Sequence, residues 1–241
     1  MFRLVECEFP PLQALNKLGD GSLQSSNQVD SANLQFALQA CRALSAPFGD
    51  PPTLLTSAAA TASFVQRAQK AYSRVQSLKD GKPAIGKKGQ VFVLVAPSST
   101  RDYGVTKQLA TDGATVVLIN GFAKVRDSLI GSFCPIASDV SLFSQPCKTT
   151  QKDNKSVSEQ ATMAYFLKPL TYNSQVAGYL LRAYPQPWTT LDAATGAILE
   201  TATDAQILVR NTNTPDLRTA VKAVQQSVDQ RAIAARQRQQ Q

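Results

Sequence analysis

Two short runs of the chain are apolar or β-branched at every position. They are Val91–Val95 (VFVLV) and Thr115–Ile119 (TVVLI), the pattern of strands buried on both faces. Between them Pro97-Ser98-Ser99-Thr100 offers capping hydroxyls, Arg101 to about Ala110 reads as a helix, and Asp112-Gly113 as a turn. Strand, helix and strand at this spacing predict a βαβ unit with a right-handed crossover and parallel strands. Upstream, Leu34, Ala37, Leu38, Cys41 and Leu44 recur at three- and four-residue steps, predicting a helix from Asp30 or Ser31 to about Leu44, ended by the Pro- and Gly-rich stretch 46–52. Thr53–Leu55 reads as a short strand. Ser57 opens an alanine-rich helix to about Val75, with Phe64, Val65, Ala68, Tyr72 and Val75 inward. Downstream, Met163–Leu167, Gly178–Tyr184 and Ala197–Thr201 read as strands, with Trp188–Leu191 extending the second after a Pro185–Pro187 bend. Strands joined this closely must be antiparallel. Thr214 and Pro215 start a last helix with Leu217, Val221, Val224 and Val228 as its stripe. The expected fold is therefore α/β: a Rossmann-like three-layer core with a parallel βαβ unit, then antiparallel strands and a C-terminal helix. Residues 1–28 read as an extended N-terminal segment, 29–235 as one α/β domain, and 236–241 as a frayed Gln/Arg tail.

Composition narrows the chemistry. The chain of 241 residues holds no histidine, which removes the commonest general base and metal ligand and the Ser-His and Cys-His dyads. A non-catalytic protein without cofactor or metal is the expectation. The formal net charge of +8 favours anionic partners. The densest basic stretch holds Arg67, Lys70, Arg74, Lys79, Lys82, Lys87 and Lys88 against Asp80 alone. No run approaches the about eighteen apolar residues of a membrane span. The opening FRLVECEFPPL has the features of neither a secretion signal nor a transit peptide, so the chain is expected to be made without one or to be a mature form. Cys7, Cys41, Cys134 and Cys147 have no C-x-x-C spacing and read as reduced thiols, a Cys134–Cys147 bridge being the alternative.

Each candidate motif has a plainer account beside it. Gly81–Lys88 nearly spells a P-loop, but Lys88 replaces the hydroxyl residue and the stretch precedes a strand; a solvated basic loop fits better. Ala96–Arg101 lies where α/β sheets bind ligands. Its hydroxyls suit phosphate, and suit a helix cap more simply. A nucleotide- or phosphometabolite-binding enzyme at this edge is the rival reading. Lys107, Lys124, Asp102 and Asp112 add charge near it without an acid–base spacing. Asn154-Lys155-Ser156 fits a glycosylation sequon, relevant only to a secreted protein. RNA binding through the basic stretch or the Gln/Arg end of the last helix is a second alternative, and no stacking motif accompanies it. In Tyr184-Pro185-Gln186-Pro187-Trp188 the only tryptophan reads as a core plug sooner than a partner anchor.

Several of these segments also form an ordered set. Glu8-Phe9-Pro10-Pro11-Leu12, then Asp30–Ala37 (DSANLQFA), the strand Val91–Val95 leading to Ser99-Thr100-Arg101, Val117–Asn120, and Arg182–Trp188 (RAYPQPW) follow one another along the chain. Together they resemble the signature of a domain-of-unknown-function family of cyanobacteria and plastids that includes the plant low photosystem II accumulation protein. Gln186 departs from the glycine usual there, residues 50–88 fit poorly, and the last helix and tail have no clear counterpart. The resemblance implies a protein of the plastid stroma or the stromal face of the thylakoid, without established catalytic residues. It would bind a photosystem or other thylakoid complex as an assembly factor or accessory subunit. The stretch Arg67–Lys88 would meet an acidic protein face or an anionic membrane surface. Phe9, Pro10, Pro11, Tyr184, Pro185, Pro187 and Trp188 are the signature residues, structural or binding.

Overall fold

The computed structural model describes residues 3–8, 26–121, 161–173, 175–208 and 215–240. Phe9, Pro10, Pro11, Lys124, the Cys134–Cys147 pair and the Asn154 sequon lie outside them. The chain divides into two compact units, the first formed by residues 1–5 and 34–162, the second by 6–33 and 163–241.

The first unit is a parallel α/β layer. Its strands are β1 (Leu4–Glu8), whose last residues belong to the second unit, β2 (Thr53–Thr56), β3 (Val75–Ser77), β4 (Val91–Val95) and β5 (Thr115–Ile119). They lie in the order β3-β2-β4-β5-β1. The pairs β2–β3, β2–β4 and β4–β5 are parallel, with Leu55 opposite Leu94 and Leu94 opposite Leu118. Three helices accompany them: α1 (Ser26–Phe48), whose first residues belong to the second unit, α2 (Ala62–Ala71) and α3 (Thr100–Thr111). The chain steps one way along the sheet through α2 and the other way through α3, and right-handed crossovers then put these helices on opposite faces. Burial agrees: every residue of β4 and β5 is buried. Leu55, Phe92, Leu94, Val116 and Leu118 pack with Tyr103, Val105 and Leu109 of α3 and with Leu78.

Local chemistry moves some boundaries from those read in the sequence. Helix α1 starts earlier, at Ser26, and runs through Pro47 to Phe48, ending where Gly49 turns left-handed at φ 72°. Helix α2 starts at Ala62, because Thr61 and not Ser57 caps it, and it ends at Ala71. Val75 therefore belongs to β3, a three-residue strand too short and polar to show a period.

The second unit is an antiparallel meander under a long helix. Its strands β6 (Thr162–Tyr172), β7 (Gln175–Ala183), β8 (Trp188–Asp192) and β9 (Ile198–Ala202) lie in sequence order and pair antiparallel. The segment Trp188–Leu191 does not extend β7. The chain reverses at Tyr184–Gln186, where Gln186 N–H donates to the Ala183 carbonyl at 2.9 Å, and β8 returns alongside. After the short helix α4 (Asp204–Leu208) comes α5 (Leu217–Gln239), whose cap is Asp216, placing Pro215 just outside. It is helical through most of the tail that reads as frayed. Ala220 and Val224 of α5 pack on Phe166, Leu180 and Trp188. The approach is so close that a Cβ on Gly178 of β7 would collide with Val224 and stand 2.6 Å from the Leu191 carbonyl oxygen.

The whole is α/β in class: parallel strands with helices, then antiparallel strands and a C-terminal helix. No helix among the described residues is long and apolar enough to cross a membrane.

Candidate functional site

The order β3-β2-β4-β5 reverses direction between β2 and β4, and open α/β sheets bind ligands outside the carboxyl ends of such a strand pair. In this chain that crevice is bounded by Thr56-Ser57-Ala58 after β2 and Ala96–Ser99 after β4. The chain leaves β4 and β5 through Ala96 at φ 47° and Asn120 at φ 51°, left-handed conformations that cost a non-glycine residue about 1 kcal/mol. The loops after β2 and β4 close on Asp102, which is fully buried in the first turn of α3. Asp102 Oδ2 accepts the Ser57 hydroxyl at 2.7 Å and the N–H groups of Ser98 and Ser99 at 2.9 and 3.0 Å. Its Oδ1 accepts the Ala58 N–H at 2.8 Å. Ser99 completes a capping box by accepting the Asp102 N–H at 3.2 Å.

Burial by itself raises the Asp102 pKa, and the bonds from Ala58, Ser57, Ser98 and Ser99 outweigh it, leaving the carboxyl below its ordinary value and ionised. The N–H groups of Ala58, Ser98 and Ser99, beside the positive end of α3 where a phosphate would sit, therefore already hold a carboxylate of the chain itself. Ser99 serves as the helix cap. Thr56 Oγ1, buried beside this crevice, has no hydrogen-bond partner among the described residues. In the sequence Asp102 stands near this edge only as a charge, and Ser57 reads as the start of a helix that Thr61 in fact caps. The available signal was the Ser99–Asp102 spacing, which is that of a capping box.

The signature segment 182–188 builds a different arrangement. Arg182 of β7 is buried; it donates to the Gln186 carbonyl and to Asp204 Oδ2, both at 2.6 Å. Its guanidinium lies 5.8 Å from the Trp188 ring centroid and 5.4 Å from that of Tyr184. Trp188 is 2% exposed and meets Phe166 edge to face at 5.2 Å, so the tryptophan is a core residue, while Tyr184 is 46% exposed. Pro185 follows a cis peptide bond and Pro187 leads into β8. Beside Trp188 is a cavity of about 170 Å³ rimmed by Glu200, Gln206 and Asp216. Asp216 is already engaged in capping α5 through the Arg218 N–H and the Thr219 hydroxyl.

A family model described as a domain of unknown function, DUF1995, matches residues 3–233. The chain belongs to the DUF1995 family. No curated protein and no solved structure matches it.

In this DUF1995 chain the basic stretch does not form one face. Arg67 lies over the Phe64 ring at 5.7 Å and is half-buried, Lys70 is exposed near the end of α2, and Lys79 stands in a 3-10 turn beyond the C-terminal end of β3. The other four lie along the N-terminal edge of the parallel strands, opposite Lys79 and on the side to which the Lys70 end of α2 returns. Arg74 precedes β3 and donates to the Pro51 carbonyl at 3.1 Å. Lys82 pairs with Asp112 at the end of α3, and Lys87 with Asp50 ahead of β2. Lys88 lies against Gly113, where a Cβ would stand 3.6 Å from its Cγ. Arg3, which sequence reasoning missed, joins them: its guanidinium donates to the Ala110 carbonyl at 3.3 Å, at the negative end of α3. The described residues contain no cluster of His, Cys, Asp and Glu able to hold a metal ion. The described thiols, Cys7 and Cys41, are free, and burial is the main cause that pushes each up to about 11.

Proposed function

We propose that this DUF1995 protein is a non-catalytic binding protein of the plastid stroma or stromal thylakoid face. It docks on a photosystem or other thylakoid complex as an assembly or stability factor, or as an accessory subunit. The observation that carries this reading is the occupation of the crevice by Asp102: where an open α/β sheet can present N–H groups to a ligand, this chain turns those of Ala58, Ser98 and Ser99 to its own carboxylate. With that edge closed, the surface that supports the reading is the cationic one around Arg74, Lys82, Lys87 and Lys88, where Asp50 and Asp112 pair with two of the four. The plastid setting comes from the family signature. The test is co-purification from detergent-solubilised thylakoids: the chain should migrate with a large complex in a native gel, and recovery only as a free species would overturn the reading.

A further inference from the structure

At the N-terminal edge of the parallel strands the structure contains a cavity of about 260 Å³, lined by Phe48, Asp50, Pro51, Arg74, Lys87 and Gln90 among others. Three strands begin at its wall, since Pro51 leads into β2, Arg74 into β3 and Gln90 into β4. The wall has fixed geometry. Gln90 Oε1 accepts the Gly86 N–H at 2.7 Å, and Gly89, left-handed at φ 80°, donates its N–H to the Gly113 carbonyl at 3.0 Å. Among the described residues the Arg74 guanidinium donates to the Pro51 carbonyl through one terminal nitrogen, and the exposed side chain lines the cavity with further donors on its fork. Lys82, paired with Asp112, and Lys88, against Gly113, lie farther along the same strand edge, and Asp50 at the cavity wall pairs with Lys87.

We infer that this cavity receives an acidic side chain of a partner protein, with Arg74 as the fork that grips its carboxylate and Lys87 as the second cation. The inference rests on the binding-protein reading above and names the partner chemistry for that surface. Three features favour a protein carboxylate over other polyanions. The site is concave and sized for a side chain, whereas a lipid headgroup layer is flat. Asp50 and Asp112 pair with Lys87 and Lys82, so the edge lacks the uninterrupted run of cations that a continuous phosphate backbone would neutralise. Phe48 supplies an apolar wall for the methylenes of a glutamate, and a planar guanidinium pairs bidentately with a carboxylate.

The experiment titrates the full chain with a fluorescein-labelled decapeptide of alternating Glu and Gly, read by anisotropy. Phosphatidylglycerol vesicles and a uridine oligoribonucleotide are the competing arms. Saturable peptide binding should weaken at least fivefold in Arg74→Ala and in Lys87→Ala. It should be unchanged in Lys222→Ala, an exposed cation of α5. Arg74→Lys, which keeps the charge and loses the fork, should recover less than half of the loss. Both cavity side chains are exposed, and unchanged melting of the variants shows that the fold is intact. Equal binding by wild type and Arg74→Ala, full recovery by Arg74→Lys, or tighter binding of vesicles or RNA than of peptide would each overturn the assignment. If the peptide result fails while the chain still migrates with a thylakoid complex, the cavity assignment falls and the binding-protein reading stands.

Discussion

Asp102 Oδ2 accepts the Ser57 hydroxyl at 2.7 Å, so one carboxylate on α3 joins the loop after β2 to the loop after β4. Removing it leaves the N–H groups of Ala58, Ser98 and Ser99 without this acceptor, while the Ser57 hydroxyl keeps Ser98 Oγ within reach at 3.1 Å. Unpaired buried groups cost about 1–3 kcal/mol each before relaxation and water entry. Asp102→Ala should therefore lower unfolding stability by about 3 kcal/mol, read in urea titration. Asp102→Asn should cost less, because one amide oxygen still accepts.

The same contact fixes an acid dependence. The folded Asp102 pKa lies below its ordinary value of 3.8. A depressed folded pKa means the unfolded chain takes up the proton first as pH falls. The stability Asp102 contributes is thus fully present above the unfolded value and is lost as pH drops from there through the folded one. The stability difference between wild type and Asp102→Asn should be constant from neutral pH to about pH 5 and shrink below about pH 4. Asp192 is depressed in the same direction, although its burial raises it, because Ser227, Arg231 and the N–H groups of Thr195 and Ala194 hold its carboxylate. It ties the β8–β9 turn to α5, and Asp192→Asn should show the same acid-side convergence. A difference that grew on acidification would contradict both assignments.

Gly178 tests how α5 is seated. A Cβ there meets Val224 and stands 2.6 Å from the Leu191 carbonyl oxygen. Gly178→Ala should lower stability by about 3 kcal/mol, the upper range for overpacking, with loss of helical signal at lower urea than wild type. Adding Val224→Ala removes the side-chain half of the collision and leaves the backbone half, so the double variant should not return to the stability of Val224→Ala alone.

Arg182 and Asp204 form an uneven pair, with side-chain exposures of 4% and 56%. Asp204→Ala should cost about 1 kcal/mol, since solvent already screens that partner. Arg182→Ala should cost about 3 kcal/mol, because it also removes the packing of the guanidinium and its stem against Tyr184 and Trp188. Trp188 is the only tryptophan, so its emission reports this unit directly. It should shift to the red in Arg182→Ala and stay put in Asp204→Ala.

What the sequence disclosed and what it hid follow from burial. Val91–Val95 and Thr115–Ile119 are buried on both faces, so every position must be apolar or β-branched, and both strands have the bounds their sequence implies. Strand β3 is three residues long, Val-Gln-Ser, and leaves no period to read. The ends of α1 and α2 depend on which hydroxyl or glycine serves as the cap, a choice among several adjacent candidates. The cationic residues were visible as a run. Their division between the two ends of the sheet was not, because it depends on the fold reversing direction between Arg74 and Lys87. Arg3 lies too far along the chain from them to be grouped by sequence.

The rival reading, a nucleotide or phosphometabolite enzyme at Ala96–Arg101, makes the opposite demand on Asp102. A phosphate there would have to displace a buried carboxylate that accepts four hydrogen bonds, and would meet its negative charge if it stayed. Calorimetric titration of wild type with a panel of adenine and guanine nucleotides and with inorganic phosphate should give no binding heat up to millimolar ligand. Micromolar binding that disappears in Ser99→Ala or Thr100→Ala would place a ligand in the crevice after all. It would also require Asp102 to leave its present partners, visible as a loss of hydrogen-exchange protection at the Ser98 and Ser99 amides relative to the free protein.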